Sequence, residues 1–441
     1  MSDGVLPAAD IPVSDAAATP PVATVSSGAN WSVALLTIAA FLAAVDRQAM
    51  ANLLDPIKKD LQVSDAAMGL LAGSALSLIY AFVAIPMAML ADRVNRRNLI
   101  GASIAFWSGA AFLGGLARTF PLLLVARIAV GAGEAGVQPA AMSTFGDLAP
   151  PAKRGTPISV YVSGGALGFA CGGVISGLIN DRFGWHAAIM AMAVPGMLLA
   201  LVMLLTVREP RRGAFDGAAA EAPRESLLKG LARCGRISTF YPFGLGYIFL
   251  NLCYVGWLVW MPAFLQRTHN LTLTQSGLVM LVITFGGMVA TLAWGPVSDR
   301  LAQRAPRYRL LFAAAIAVVS APLMAVASQT QGLPVTLAFL MVYTLIGGSL
   351  TAITQTTYLS MAPVRMRGLV TAIMNIISMG VGGGLAPIVY GQVNDWLKPT
   401  YGNQSLHYTM LIPPAAMTIA GVLFLIASRT MDRDVARVSE V

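Results

Sequence analysis

Long apolar stretches alternate along the chain with short polar connections. Each stretch holds about 20 or more residues with few charges, which is enough for one helix to cross a bilayer. The twelve stretches are roughly 33–54, 67–91, 98–117, 120–147, 155–180, 186–207, 239–265, 274–298, 309–328, 333–360, 367–394 and 407–428. The pattern predicts an all-α membrane protein with twelve transmembrane helices.

The composition and the amino-terminal residues agree with this class. The 441-residue chain is 56% hydrophobic and 11% charged, with a mean hydropathy of +0.71, whereas a soluble protein carries about 25% charged residues. Residues 1–30 are rich in Ala, Pro, Ser and Val and lack a basic segment followed by an apolar run. They predict a disordered tail, not a cleavable signal peptide. The three cysteines predict neither a disulfide nor a metal site.

The distribution of positive charge predicts the topology. With a cytoplasmic amino terminus, 21 of the 29 lysines and arginines lie in cytoplasmic segments and 6 in external ones. This asymmetry is the positive-inside pattern, and an even number of spans places both termini in the cytoplasm. It also accounts for the net charge of +9, so no nucleic-acid partner is expected.

Short polar motifs recur between the two halves of the chain. Three matches, separated by 207 to 214 residues, pair Asp92 with Asp299, Arg154 with Arg367, and Asp181 with Asp395. Ordered matches at nearly one offset predict two pseudo-symmetric six-helix bundles. The predicted units are a tail (1–30), a bundle (31–207), a cytoplasmic linker (208–238), a second bundle (239–428) and a cytoplasmic tail (429–441). Leucines and basic residues in the linker fit either an amphipathic helix on the headgroups or a solvated helix.

Four charges lie deep inside the predicted spans of the first half: Asp46, Arg47, Arg127 and Glu134. As neighbours on one helix, Asp46 and Arg47 do not face each other, so each needs a partner on another helix. Arg127 and Glu134 share a face of the fourth span, with Arg127 nearer the level of Asp46. Burial favours the neutral form of a carboxyl group and an arginine favours the charged form, which offers a route to proton coupling. The alternative is a static ion-pair cluster that fixes helix register.

Neutral polar and aromatic residues predict the rest of a cavity. The spans of the second half carry no charge in their interiors, in contrast to the first half. The predicted cavity and substrate residues are Gln138, Asn251, Tyr254, Trp257, Thr356, Tyr358 and Asn375. Trp257 also fits an interfacial aromatic belt. Charges on one wall and aromatic groups on the other suit an amphiphile, with Arg47 and Arg127 expected to hold its headgroup.

The loop after the second span resembles the signature cytoplasmic loop of the major facilitator superfamily. Its charged residues are Asp92, Arg93, Arg96 and Arg97, and the second half repeats Asp299 and Arg300. By this resemblance, the loop forms a gate network that holds one conformation closed on the cytoplasmic side. The alternative is ordinary positive-inside charge. Glycines four apart in the fifth and eleventh spans predict that the halves touch there.

Several motifs together are similar to those of the spinster family of the same superfamily. They are Val45-Asp46-Arg47, Gly131-Ala-Gly-Glu134-Ala135, Gly184-Trp185-His186 and Arg208-Glu209-Pro210-Arg211-Arg212-Gly213. The resemblance implies proton-linked transport of lysolipids or sphingosine-phosphate-like lipids. The short, alanine-rich form looks bacterial, which implies the plasma membrane. Organic-anion transporters of the superfamily also carry an Asp-Arg pair in the first span.

These observations predict a secondary transporter that works by alternating access, is energised by protons and moves a lipid-like amphiphile as a monomer in the bilayer. The alternative is a proton-coupled transporter of small organic anions or drugs. A receptor or scaffold on the same fold is a third possibility. An enzyme is not expected because the sequence shows no Ser/His/Asp set, metal cluster or phosphate loop. No cofactor is expected beyond the proton as coupling ion.

Overall fold

The structure, a computed structural model, describes residues 28–150, 153–210, 212, 237–361 and 367–439. In these ranges eleven helical segments are long and apolar enough to cross a membrane. One of them, Gly155–Thr206, has 52 residues and would be about 78 Å long if straight, against a hydrocarbon core of about 30 Å. It is interrupted at Gly184, whose φ of 79° and ψ of 169° are not helical and suit only glycine. It therefore crosses twice, which confirms twelve spans.

The spanning segments follow the predicted stretches with shifted edges. Those of the first half are Ala29–Asn52, Asp65–Ala91, Arg96–Gly115, Phe120–Leu148 and the two arms of Gly155–Thr206. Those of the second half are Phe240–His269, Leu273–Arg304, Arg307–Gln329, Leu333–Ser360, Ile373–Tyr401 and Ser405–Arg437. A short helix, Leu54–Leu61, connects the first and second spans. The two halves are two bundles with the same order of helices.

The last helix extends beyond residue 429, where the sequence prediction starts the cytoplasmic tail. It runs over Ile412–Ser439, and Asp434 on its final turns is buried. The Asp434 carboxylate accepts hydrogen bonds from the Thr239 backbone N–H (2.9 Å) and hydroxyl (2.8 Å), where the helix Phe240–His269 begins. An anion at a helix amino terminus is favourable, so residues 429–439 belong to the bundle. Residues 1–27 of the predicted tail 1–30 and most of the predicted linker lie outside the described residues.

The halves share a continuous apolar core at one end only of the described bundle. One buried cluster lies within the first half. The other fills the second half and continues into the first through Leu53, Leu54, Ile57 and Leu71. We call this end the closed end; it comprises residues 52–73, 173–181, 262–277 and 387–395.

Two pseudo-symmetric glycines allow backbone contact at the closed end. A Cβ atom on Gly177 would lie 2.6 Å from the Thr274 nitrogen, and one on Gly391 would collide with the Asp65 carbonyl. Of the fifth-span glycines predicted to bring the halves together, the prediction holds for Gly173, where a Cβ atom would lie 3.0 Å from Gly277 Cα of the second half. It is wrong for Gly164, Gly168 and Gly172, which pack against Thr37, Phe41 and Val45 of the same half.

Each of the two glycines is followed by an aspartate that binds the start of the facing helix. Asp181 accepts a hydrogen bond from the Thr274 hydroxyl at 2.7 Å. Asp395 accepts the backbone N–H groups of Asp65 (3.0 Å) and Ala66 (2.7 Å). The sequence repeat thus supplies the same contact twice, once from each half.

Candidate functional site

The four charges of the first half form two ion pairs between the first and fourth spans. Arg127 Nη1 lies 2.6 Å from Asp46 Oδ2, and Arg47 Nη2 lies 3.2 Å from Glu134 Oε2. Because Asp46 and Arg47 are neighbours, they point about 100° apart and reach different residues of the fourth span. The pairs agree with the levels expected from the sequence.

Glycines of the fourth span allow the close packing that buries these charges. A Cβ atom on Gly131 would lie 3.0 Å from the Leu76 carbonyl oxygen, and one on Gly133 would lie 2.8 Å from Trp107 Cβ. The helix Phe120–Glu134 ends at Glu134 itself, before a second segment begins. Glu134 is therefore held against neighbouring helices with its side chain 1% exposed.

A cavity of about 410 Å³ lies between the halves, beside the closed end. One stripe of the first span lines it: Ala40, Ala43, Ala44, Arg47, Gln48 and Ala51. Their spacing of three and four residues is that of one helical face. The remaining first-half wall includes Tyr80, Glu134, Gln138 and Tyr161. Tyr80 donates a hydrogen bond to Gln138 at 2.7 Å.

The structure separates the two arginines that the sequence assigned to one headgroup site. Arg47 lines the cavity, and its side chain is 40% exposed. The Arg127 side chain is 3% exposed and is absent from the cavity wall among the described residues. Asp46 lies about 140° around the helix from the lining stripe and holds Arg127 on that far side. The prediction that Arg127 contacts a substrate headgroup is therefore corrected in this conformation.

The predicted cavity residues of the second half have different locations. Tyr254 lines the cavity together with Val255, Leu258 and Val259. Trp257 instead packs in the core against Tyr343, with ring centroids 5.6 Å apart. The prediction that Trp257 lines the cavity is therefore corrected. On its helix, Trp257 points away from the stripe that faces the cavity.

Four further predicted positions also lie away from the described cavity wall. Asn251 is buried and donates to the Tyr247 carbonyl at 2.8 Å. Tyr358 is buried with its ring against Tyr247. Thr356 and Asn375 are exposed, and the Thr356 hydroxyl donates back to its own helix. In this conformation Asn251 and Tyr358 pack inside the second bundle and are not cavity residues, whereas the roles of Thr356 and Asn375 stay predictions.

The sequence prediction missed several cavity residues, among them Gln48, Tyr80 and Tyr161. Gln48 follows Arg47 directly and shares the stripe with Ala44 and Ala51. Continuing the spacing of three and four residues from Arg47 along the first span would have found it. Tyr80 and Tyr161 stand on the second and fifth spans, where hydropathy alone does not distinguish the cavity side from the lipid side.

The predicted gate motif binds the segment that follows the sixth span. Arg96 is buried and contacts Asp147 (2.5 Å) and Glu209 (2.8 Å). The Glu209 carboxylate also accepts the Arg97 backbone N–H at 2.9 Å, in the first turn of the helix Arg96–Gly115. Partial burial acts to raise the pKa of Glu209, but these hydrogen bonds outweigh it and hold the pKa below its ordinary value.

The remaining residues of the motif lie at the same end of the bundle. The Asp92 carbonyl accepts a hydrogen bond from Arg212, while Arg93 is exposed. In the second-half copy, Asp299 pairs with Arg309 at 2.7 Å, and Arg300 is exposed. The Glu209 carboxylate thus occupies the amino terminus of the helix Arg96–Gly115.

An ion network joins the halves at the closed end. The Arg267 guanidinium donates to Asp55 at 2.5 to 3.1 Å and to Asp65 at 2.8 and 3.1 Å. Asp65 is fully buried and also contacts Lys58 (2.6 Å) and Asn394 (2.6 Å). Bidentate contacts of this kind fix geometry as well as charge.

An amide cluster lies beside this network. The Asn52 Nδ2 donates to the Gly173 carbonyl at 2.9 Å and to the Leu273 carbonyl at 3.2 Å. Its Oδ1 accepts from Gln266 (3.1 Å) and Ser276 (2.9 Å). The first span therefore carries an inter-half lock one turn beyond the cavity face.

Comparison with known proteins agrees with this architecture. The profile of the Major Facilitator Superfamily matches residues 36–387. The chain is 28% identical over 408 residues to an MFS-type efflux pump of Mycolicibacterium smegmatis, covering 92% of this chain and 94% of the pump. It is 24% identical over 408 residues to the sphingosine-1-phosphate transporter of Danio rerio, covering 86% and 80% of the two chains.

A solved structure has the same fold. The crystal structure of a bacterial homologue of the human lysosomal transporter Spinster, in an inward-facing and unoccupied conformation, aligns with a TM-score of 0.82 at 23% identity. The alignment covers 93% of this chain and 98% of that one. The family match and the twelve spans identify the chain as a member of the Major Facilitator Superfamily, a transporter and not an enzyme, and its fold resembles that of the bacterial Spinster homologue.

Proposed function

We propose that this chain is a proton-coupled secondary active transporter that moves an amphiphilic, lipid-like anion by alternating access. The observation that carries the proposal is the exposure of the Arg47 side chain to the cavity. Among the four intramembrane charges, Arg47 is exposed to the cavity, and its partner Glu134 is buried. An anionic headgroup and a proton can therefore act on the same ion pair.

The coupling follows from competition for Arg47. While Glu134 is ionised, it holds the guanidinium at 3.2 Å. A proton on Glu134 removes that attraction and leaves the guanidinium able to donate charge-assisted hydrogen bonds to a substrate phosphate or carboxylate. Headgroup binding and protonation then favour each other, because linkage between two sites is reciprocal. Asp46 and Arg127 lie behind this site. In the proposal, Asp46 is a second proton-binding carboxylate and Arg127 is its charge partner.

The apolar remainder of the cavity favours a lipid-like substrate. Alanine, leucine and valine side chains from both halves line most of it, including Leu76, Leu258 and Val259. Such walls bind an acyl or alkyl chain through removal of apolar surface from water. The similarity to the sphingosine-1-phosphate transporter of Danio rerio supports the same chemical class.

The predicted topology indicates which transport conformation the structure represents. The motif loop with Arg96 and the last helix lie at the end opposite the closed end, and the positive-inside pattern places that end in the cytoplasm. The structure then corresponds to an inward-facing state. We place the chain in a bacterial inner membrane as a monomer, with both termini cytoplasmic.

Chain-length dependence tests the substrate class. Binding of a homologous lysophospholipid series to the purified protein is measured in detergent. Each buried methylene contributes about 0.8 kcal/mol, so four more methylenes tighten binding by about 3 kcal/mol, or more than a hundredfold. A flat response, together with tight binding of a small dicarboxylate, contradicts the lipid proposal.

Amide variants test the proton coupling. Binding of one lysolipid is measured from pH 5 to pH 8 in the parent protein, in Asp46→Asn and in Glu134→Gln. The pH dependence should disappear in Glu134→Gln and weaken in Asp46→Asn. Asp60→Asn is the matched control, because Asp60 accepts a hydrogen bond from Trp185 away from the cavity and an amide oxygen can do the same. Parent-like pH dependence in both Asp46→Asn and Glu134→Gln rules the coupling out.

A small organic anion or drug is the second candidate. The similarity to the efflux pump of Mycolicibacterium smegmatis favours it. The binding affinity of such a ligand has no contribution from chain length and depends almost wholly on Arg47. The lysolipid series therefore also separates the two candidates.

A further inference from the structure

Gln48 is a polar cavity residue that the proposed coupling does not use. Gln48 lines the cavity on the stripe of the first span and is fully buried. Neither its Nε2 nor its Oε1 has a hydrogen-bond partner among the described residues. A buried amide without partners costs free energy in a folded protein, so its presence beside a binding cavity calls for a ligand.

The neighbouring turn shows that this protein can satisfy a buried amide. Asn52, also fully buried, engages Gly173 and Leu273 through its Nδ2 and Gln266 through its Oδ1. Gln48 lies four residues earlier on the same helix face, where the inter-half lock ends and the cavity begins. Its amide remains unsatisfied although a ready-made polar network lies one turn away.

The position of Gln48 defines what it can bind. Arg47 supplies the charge for an anionic group, whereas an amide supplies one donor group and one acceptor to a neutral polar group. Gln48 lies on the closed-end side of Arg47, about 1.5 Å further along the helix axis. A hydroxyl or amide next to the anionic group of a bound amphiphile can therefore reach both side chains at once.

We propose that Gln48 is a specificity-determining residue that recognises a neutral hydroxyl or amide group adjacent to the anionic group of the substrate. This inference rests on the proposed transport of an amphiphilic anion and narrows its substrate class. Simple alkyl phosphates lack such a group, whereas lysophosphatidates and sphingoid phosphates carry one. The site rejects ligands without the group because the amide then stays unpaired.

The test compares two ligands that differ by one hydroxyl. They are an alkyl-ether lysophosphatidate and its 2-deoxy analogue with the same chain. The parent protein should bind the hydroxyl-bearing ligand about tenfold tighter, the effect of one good hydrogen bond in a buried site. Gln48→Leu should bind both ligands equally, with the affinity for the deoxy ligand kept or improved.

Two measurements keep a folding defect apart from a loss of recognition. Gln48→Leu should melt at the same or a higher temperature than the parent without ligand, because an unpartnered buried amide is removed. Gln329→Leu is the matched control, since that glutamine donates to the His407 carbonyl at 2.7 Å, away from the cavity, and it should keep the tenfold preference. A preference retained in Gln48→Leu, equal weakening of both ligands, or a lower melting temperature overturns the inference.

The outcome also separates this inference from the lipid proposal. If the parent binds neither phosphate ligand, the lipid proposal fails. The same comparison is then made with 2-hydroxyhexanoate and hexanoate, which retain the anionic group and the single hydroxyl difference. A preference that disappears in Gln48→Leu supports the role of Gln48, and its persistence refutes that role.

Discussion

The ion network of the closed end should set how strongly the structure favours its present conformation. Replacing Arg267 with glutamine removes the guanidinium that joins Asp55 and Asp65 of the first half to the second half. Both carboxylates then stay at the interface, and Asp65 keeps the cation of Lys58 and the neutral amide of Asn394 as partners. Because the network exists only while the halves are in contact, its loss should destabilise the closed arrangement selectively.

The size of the effect follows from burial. The Arg267 side chain is 18% exposed, and those of Asp55 and Asp65 are 13% and 0% exposed. Removing one partner of a buried ion pair costs about 3–5 kcal/mol because the other charge stays buried. Lys58 compensates in part, so the lower value of about 3 kcal/mol applies, a shift of roughly 150-fold in the ratio of conformations. A parent that favours the present state by a hundred to one becomes an almost equal mixture.

Distances between spin labels across the closed end measure this shift. Labels at Lys59→Cys and Lys398→Cys, both exposed, report on the two halves by double electron–electron resonance in a background without native cysteines. Arg267→Gln should add a second, longer distance. Arg307→Gln is the control, because its pair with Asp432 is about half exposed and exposed pairs contribute little to stability. An unchanged distribution in Arg267→Gln refutes the reasoning.

Three further predictions concern the gate motif, the closed end and the cavity. The depressed pKa of Glu209 means that its stabilisation is present above the ordinary glutamate pKa of about 4.3 and lost as the pH falls through the lower folded value. Glu209→Gln should therefore lower the melting temperature at pH 7 but not at pH 3; an equal deficit at both contradicts this. Gly277→Val should open the closed end to cysteine labelling, because a Cβ there collides with backbone of the other half, while Gly295→Val, with open space around it, should not; equal labelling contradicts this. Arg47→Gln should weaken lysolipid binding at least tenfold, whereas Arg127→Gln should weaken it less and mainly lower the melting temperature; the reverse order contradicts the corrected site.

The fold was predictable because a bilayer allows few solutions. Every backbone polar group in the hydrocarbon must be satisfied within its own helix, so hydropathy alone locates the spans. The end of the last helix was not predictable in this way. Residues 429–439 are polar enough to read as a tail, and they stay helical because Asp434 binds the start of another helix. That contact joins residues 195 positions apart, which no local pattern reveals.

The charged part of the site was predictable for a related reason. An ionised group inside a membrane is costly, so Asp46, Arg47, Arg127 and Glu134 stood out in the sequence. Which charge faces the cavity was not predictable, because it depends on the rotation of the first helix within the bundle. Gln48 was missed because a neutral amide leaves little trace in a hydropathy pattern.

In the second half, too, the sequence did not reveal which face of a helix lines the cavity. Tyr254 and Trp257 are three residues apart and were assigned to one face. The lining stripe is centred between Tyr254 and Val259, and Trp257 lies about 130° from that centre at 100° per residue. A spacing of three residues is compatible with one face, but only packing decides where the face ends.

The first span links the coupling charges to the lock of the closed end. Arg47 and Asn52 are five residues apart on one helix, about 7.5 Å along its axis, and Gln48 lies between them. The closed end repeats the same aspartate contact from each half, whereas the described intramembrane charges at mid-depth belong to the first half alone. A proton or a headgroup that changes the Arg47–Glu134 pair therefore acts on the closed end from the first half alone. Rotation or tilt of one rigid helix is a physical way to do so, because it moves Arg47 and Asn52 together.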